Sequence, residues 1–258
     1  MPQQLFANPW LIGILLNSVL LLPAIALPKK LLTPWGTAHA WVLGVLIWGT
    51  LGWRGYVVVM FYFLVGSGVT RIGMAQKEAA GIAEKRGGAR GPENVWGSAA
   101  AAAFCALVGW GLGHFGDWRS AAVWMPLLAL GYVASFATKL SDTTASEVGK
   151  AYGKRTFLIT TLQPVPRGTE GAVSLEGTLA GMGASVVIAT LGWVLGMIPL
   201  LGIGVCAIAA FLATNIESVI GATVQEQFDW LTNEWVNVIN TGIGAGVAIF
   251  LGLFLLGA

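Results

Sequence analysis

The sequence predicts an all-α, polytopic membrane helix bundle of about eight transmembrane helices, forming a single integral-membrane domain over residues 1–258. Three observations predict it. First, 56% of the residues are hydrophobic and 10% are charged, with a mean hydropathy of +0.75, whereas a soluble domain carries about 25% charged residues. Second, uncharged apolar runs near the ~20 residues needed to cross a bilayer recur along the whole chain. A helix is the form in which such a run satisfies its own backbone in lipid. Third, glycine is abundant, 36 of 258 residues. It stands four apart in GWGLG (109–113), GTLAG (177–181), GWVLG (192–196) and GIGAG (242–246), a spacing that lets membrane helices pack closely.

In chain order, spans are predicted at about 9–27, 35–53, 55–71, 97–115, 120–139, 177–198, 200–221 and 236–257. The first is of full length and lacks an A-x-A-like cleavage site, so it reads as a retained helix. A tight turn at Trp53-Arg54-Gly55 divides the second span from the third, and Pro199 divides the sixth from the seventh. Cys105 and Cys206 lie inside spans without paired spacing, so neither a disulfide framework nor a metal knuckle is implied. His39 and His114 are isolated and read as packed or interfacial side chains.

Charge sets the expected sidedness. With eight spans and the N-terminus outside, the inner loops hold Lys29, Lys30, Arg71, Lys77, Lys85, Arg86, Arg90, Lys139, Lys150, Lys154, Arg155 and Arg167. The outer loops hold only Arg54 and Arg119. This asymmetry follows the positive-inside rule. The long polar connections, roughly 25, 37 and 15 residues between spans, then share the inner, cytoplasmic face. Long connections converging on one face mark a functional surface.

Each polar segment has its own pattern. In 66–98, Met74, Ala79, Ile82 and Ala83 recur at helical spacing, which predicts a short interfacial amphipathic helix broken by Gly87-Gly88. In 141–181, a helix continuing past the membrane edge would align Asp142, Ser146, Gly149 and Gly153 on one stripe. Thr143, Glu147, Lys150 and Lys154 would form its neighbour. One acid among tiny residues, with cations further out, suits a nucleotide bound with a divalent metal. A turn with Pro164, Pro166, Arg167, Gly168, Thr169 and Gly171 follows. In 213–241, Asn215 and Glu217 lie near membrane depth, where a carboxylate costs roughly 2.5–3.5 kcal/mol and so faces the bundle interior. Gln225, Asp229, Asn233, Asn237 and Asn240 read as one polar ridge lining a cleft.

These stretches carry a resemblance. GSGVTRIG (66–73), KEAAGIAEKRGGARGPENV (77–95), SDTTASEVGK (141–150), RGTEGAVSLEGTLAG (167–181), NIESVIGA (215–222) and NEWVNVINT (233–241) resemble the uncharacterised integral-membrane protein family that includes plant phytyl-phosphate kinase. The likeness covers nearly the whole chain. More distantly, Asp142, Ala145, Gly149, Lys154 and the Pro164–Gly171 turn resemble the D-x-x-A-x-x-x-G and proline-basic-glycine pattern of polyprenol kinases and CDP-diacylglycerol synthases.

The resemblance implies a kinase that uses CTP or another NTP with Mg²⁺. It would convert an isoprenoid monophosphate such as phytyl phosphate to the diphosphate, for tocopherol or other prenyl-lipid synthesis. Asp142, Glu147 and Lys150 are the expected catalytic residues, and Asp142, Glu147 and Glu217 the expected metal ligands. Lys154, Arg167, Thr169, Gly171, Gly149 and Ser146 are expected around the nucleotide phosphates. Arg71, Lys77, Arg86 and Arg90 are expected at the lipid phosphate. Asn215, Gln225, Asp229 and Asn237 would line the remaining polar cleft. The expected partners are the isoprenoid phosphate, the nucleotide and membrane lipid, with no nucleic acid. CDP-lipid-type nucleotidyl transfer needs the same acids and cations and stays open at this point. A transporter would instead need acids deep in several spans and an inverted repeat.

Overall fold

Short polar residues and prolines write most of the helix starts. The computed structural model describes residues 8–24, 31–84 and 88–255. Helix α1 covers Pro9–Ala24, α2 Pro34–Val69, α3 Met74–Ala79, α4 Pro92–Phe115 and α5 Trp118–Tyr152. Strands β1 (Thr156–Leu158) and β2 (Ala172–Ser174) precede α6 (Leu175–Val194), α7 (Leu200–Thr223) and α8 (Asn233–Leu255). Thr33 caps α2 by accepting from the Gly36 N–H at 3.0 Å, and Ser174 caps α6 by accepting from Gly177 at 3.1 Å. Asp117 accepts from the Arg119 and Ser120 N–H groups at 3.0 Å each, satisfying donors that a helix start leaves open.

Among the described residues, α2, α4, α5, α6, α7 and α8 are long and apolar enough to cross a membrane, and α1 is a shorter apolar helix. The protein is therefore an integral, multi-pass membrane protein. Its α2 is two rods. A straight helix would hold residues 36 and 66 about 45 Å apart. Yet Gly36 lies against the Arg90 carbonyl, while an added Cβ on Gly66 would stand 3.1 Å from the Arg90 guanidinium. The chain turns back at Gly52, whose φ of 65° and ψ of −158° interrupt the helix. The predicted division at residues 53–55 thus lies beside this reversal, and with α2 counted as two rods and the shorter α1 included, the described residues form eight apolar rods.

Gly52 occupies a backbone region that side chains enter only with strain. Gly52→Ala is expected to cost about 1–3 kcal/mol, seen as a lower unfolding midpoint in detergent. An unchanged midpoint would mean that the reversal tolerates a side chain.

Helix α5 is the axis of the bundle. It packs against α2, α4, α6, α7 and α8. Residues 130–142 are buried without interruption, so this helix is enclosed on all sides. Tyr132 donates to the Gly55 carbonyl at 2.7 Å, and Phe136 packs on the Tyr62 ring at 5.2 Å. Small residues permit the contacts: Gly131 meets Ile249 and Cys105, Gly192 meets Val133, and Gly244 receives Thr138. His39 is a packed side chain that accepts from the Trp96 indole at 2.9 Å, as its isolation in the sequence suggests.

Three local expectations change. The all-α bundle also carries a two-stranded antiparallel ribbon pairing Thr156 with Ser174, Phe157 with Val173 and Leu158 with Ala172. The interfacial helix α3 has six residues, and Ile82 lies beyond it, packed against Gly168. The polar ridge is broken: α7 ends at Thr223, a 3₁₀ turn covers Gln225–Gln227, and α8 starts at Asn233. Helical periodicity does not carry across that interruption, so Gln225 and Asp229 do not share a face with Asn237 and Asn240.

Candidate active site

Helix α5 continues as one rod to Tyr152. Its last three turns therefore project Asp142, Ser146 and Gly149 along one side, and Glu147 and Lys150 along the next. A cleft of about 610 Å³ opens on the first stripe. All three polar segments line it: Ile82 and Arg90 from the first, Arg167–Ser174 from the ribbon loop, and Asn215, Glu217 and Asn237 from α7 and α8. Sequence separation between these groups is large; in space they share one cavity.

At the floor, Lys139 is buried and donates to Asp142 Oδ2 at 2.5 Å and to Asn237 Oδ1 at 2.6 Å. Glu217 of α7 lines the same cleft, in the electrostatic field of Asp142, Lys139 and Glu170. One carboxylate is thus paired with the buried ammonium, and a second lines the same cleft. Acids placed together in this way are favourably charged when a cation binds between them. The donor set fits a divalent cation of the Mg²⁺ type, which takes one or two carboxylates and completes its shell with phosphate and water oxygens. Among the described residues, no group of three or more His, Cys, Asp and Glu side chains forms a protein-only metal cage. A phosphate-bearing ligand would have to supply the remaining oxygens.

One turn along, Glu147 serves a different contact. It pairs with the fully buried Lys77, which also donates to the Thr70 carbonyl at 2.7 Å. Lys150 approaches the other Glu147 oxygen at 4.0 Å. One expectation is corrected here. Lys77 has no exposed surface with which to meet a lipid phosphate; it is a strut tying α3 to α5. Glu147 lines the cleft with Asp142 and Glu217, its carboxylate paired with Lys77.

The other expected residues divide. Ser146, Gly149, Lys150, Arg167, Thr169, Gly171, Asn215 and Asn237 line the cleft. Gly171 holds the loop against α7 at a φ of 72°, where an added Cβ would stand 2.6 Å from the Ser218 carbonyl. Arg167 donates to the Ala151 carbonyl at 3.1 Å and also lines a second, more open groove of about 920 Å³. Lys154 belongs to that second groove, because the chain turns away from the helix axis at Gly153 before the predicted stripe reaches it. Arg90 lines the cleft and is held by Tyr62, accepting its guanidinium N–H at 2.7 Å. Arg71 is exposed and not among the cleft residues. Gln225 and Asp229 do not line it either. Arg86, like Lys29, Lys30 and Lys85, lies outside the described residues.

Lys139 is a site residue beyond those expected, although its i,i+3 spacing from Asp142 is a readable signal. Ser98 and Asn94 of α4 and Glu234 of α8 also line the cleft without having been expected there. No local pattern in those helices distinguishes them.

Comparison with known proteins agrees with this architecture. Residues 17–245 match the family described as integral membrane protein DUF92. The chain is 66% identical over 247 residues to the uncharacterized membrane protein sll0875 of Synechocystis sp., covering 96% of this chain and 93% of that protein. It is 48% identical over 223 residues to Protein VTE6, chloroplastic, of Arabidopsis thaliana, covering 86% of this chain and 65% of the plant protein. Identity to the uncharacterized membrane protein MJ0933 of Methanocaldococcus jannaschii is 29% over 219 residues, 84% of each chain. No solved structure matches the chain. A multi-pass bundle matched over nearly its whole length, the chain belongs to the DUF92 family of integral membrane proteins.

Proposed function

We propose that this protein is a nucleotide-dependent phosphotransferase that converts an isoprenoid monophosphate, such as phytyl phosphate, to the diphosphate, with CTP as the preferred donor. The observation that carries the reading is that Asp142, paired with the buried Lys139, and Glu217 line one cleft edged by Lys150, Arg90 and Arg167. Acids that call for a cation, beside cations that call for phosphate, suit phosphoryl transfer at a membrane edge. The similarity to Protein VTE6, and the resemblance to the family that includes phytyl-phosphate kinase, support the substrate class. The cation asymmetry supports placing the cleft on the cytoplasmic or equivalent side.

The chemistry needs little from the protein beyond placement. An oxygen of the lipid monophosphate, already anionic, attacks the γ-phosphorus. The bond from that phosphorus to the β-bridging oxygen breaks, and the nucleoside diphosphate leaves. No general base is required. Asp142 and Glu217 would hold the divalent ion, which when bound neutralises charge on the nucleotide phosphates. Lys150 and Arg167 approach the phosphates from the α5 and ribbon sides. Arg90, its guanidinium fixed by Tyr62, faces them from the α4 side. Lys139 keeps Asp142 aligned through the shared Asn237 contact.

Purified protein in lipid nanodiscs, given phytyl or geranylgeranyl phosphate and CTP, ATP or UTP, tests this directly. The γ-label should appear in a lipid diphosphate and the α-label should remain on the nucleoside diphosphate. Transfer of the α-label to lipid would overturn the kinase reading in favour of nucleotidyl transfer. Nucleotide-independent, saturable uptake into vesicles, with no lipid product, would favour a transporter.

A further inference from the structure

We infer that the isoprenoid tail enters sideways from the bilayer, through a portal between α6 and α7 at the level of Met182 and Phe211. This rests on the prenyl-phosphate reading above and adds a location to it. The cleft is polar along α5 and the ribbon loop, but Met182 and Phe211 put two large apolar side chains on its wall. Both are well exposed, 42% and 39% respectively. They stand on spanning helices, where exposed apolar surface meets lipid tails.

Each of the two is the last member of a stripe that runs away from the cleft. On α6 the stripe passes from Met182 to Val186, one turn further from the polar end. On the antiparallel α7 it passes from Phe211 to Ile208. Val186 and Ile208 are exposed and do not line the cleft, so the apolar surface continues past its rim. Side chains added at Gly183 or Gly204 would meet nothing within 4 Å, so there is free room beside both stripes. The opposite side of α7 is closed: Val205, Cys206, Ala209 and Ala210 are buried.

The occupant that fits is a single flexible hydrocarbon chain with an anionic head. The head would stay in the cleft among Arg90, Lys150 and Arg167, while the tail lies along the α6–α7 seam. A water-soluble phosphate needs only the polar half of this arrangement. The portal therefore sets selectivity for tail length and leaves nucleotide binding alone.

Two measurements in nanodiscs test the inference. Geranylgeranyl monophosphate carrying a benzophenone on its tail is photolysed on the protein without nucleotide, and adducts are mapped by mass spectrometry. Adducts should fall within 178–190 and 204–215; adducts elsewhere, or none, would overturn the portal. Met182→Trp and Phe211→Trp should each raise KM for geranylgeranyl phosphate about tenfold, with kcat and the nucleotide KM retained, the pattern of lost ground-state binding. The KM for five-carbon isopentenyl phosphate should not move, and Phe104→Trp on lipid-facing α4 should change nothing. Equal effects on long and short tails would also overturn the portal. Because photolabelling needs no turnover, adducts at the seam without any lipid diphosphate would retain the portal and sink the kinase reading instead.

Discussion

Asp142→Asn is expected to lower kcat/KM for lipid phosphorylation by about 10²–10³-fold, the loss seen when one preorganised electrostatic group is removed from a reacting centre. The amide keeps the size of the side chain but gives up the charge that faces Glu217 and Lys139. Half-maximal activity should also move to higher Mg²⁺ concentration, since one of two candidate carboxylates is gone. A merely structural role for Asp142 would not produce that shift. Lys139 loses its charged partner in the same variant, so the unfolding midpoint should be read alongside. Glu217→Gln provides the control, because it neutralises the other acid without touching the Lys139–Asp142 contact. Full, metal-dependent transfer by Asp142→Asn would remove this carboxylate from the mechanism.

Lys77→Met should destabilise the protein by about 3–5 kcal/mol, the cost of stripping one partner from a buried ion pair. Glu147, 3% exposed beside Lys77, is then left with Lys150 at 4.0 Å among the described residues. Adding Glu147→Leu to the same chain should restore most of the loss, because a matched apolar pair removes both desolvated charges at once. Thermal unfolding in detergent reads both steps. If Lys77→Met instead kept its midpoint and lost phosphate binding, Lys77 would be a ligand and the strut assignment would fail.

Much of this could be read in the linear chain. The stripe of Asp142, Ser146 and Gly149 follows from helical spacing alone once α5 is taken past the membrane edge, and the structure extends α5 to Tyr152. The turn after Pro164 was legible from its prolines and glycines, and Gly168 and Gly171 take the positive φ that such turns need. Lys154 shows where periodicity stops being a guide: one backbone departure at Gly153 moves it into a different groove. Asp229 shows the same at the end of α7. Lys77 and Glu147 lie seventy positions apart, and nothing near either announces the other.

What the sequence by itself determined is the class of molecule, the position of its spans and the convergence of its polar segments. Those properties sum over residues, because transfer of a run of side chains between water and lipid depends on composition and length and little on neighbours. Only the tertiary structure decided which acid meets which cation. That depends on α5 lying at the centre, on the reversal at Gly52 that brings Arg90 against Tyr62, and on the rotation of α7 and α8 that turns Glu217 and Asn237 inward. Those rotations come from side-chain packing between helices remote in sequence, and packing is a pairwise property that no local pattern carries.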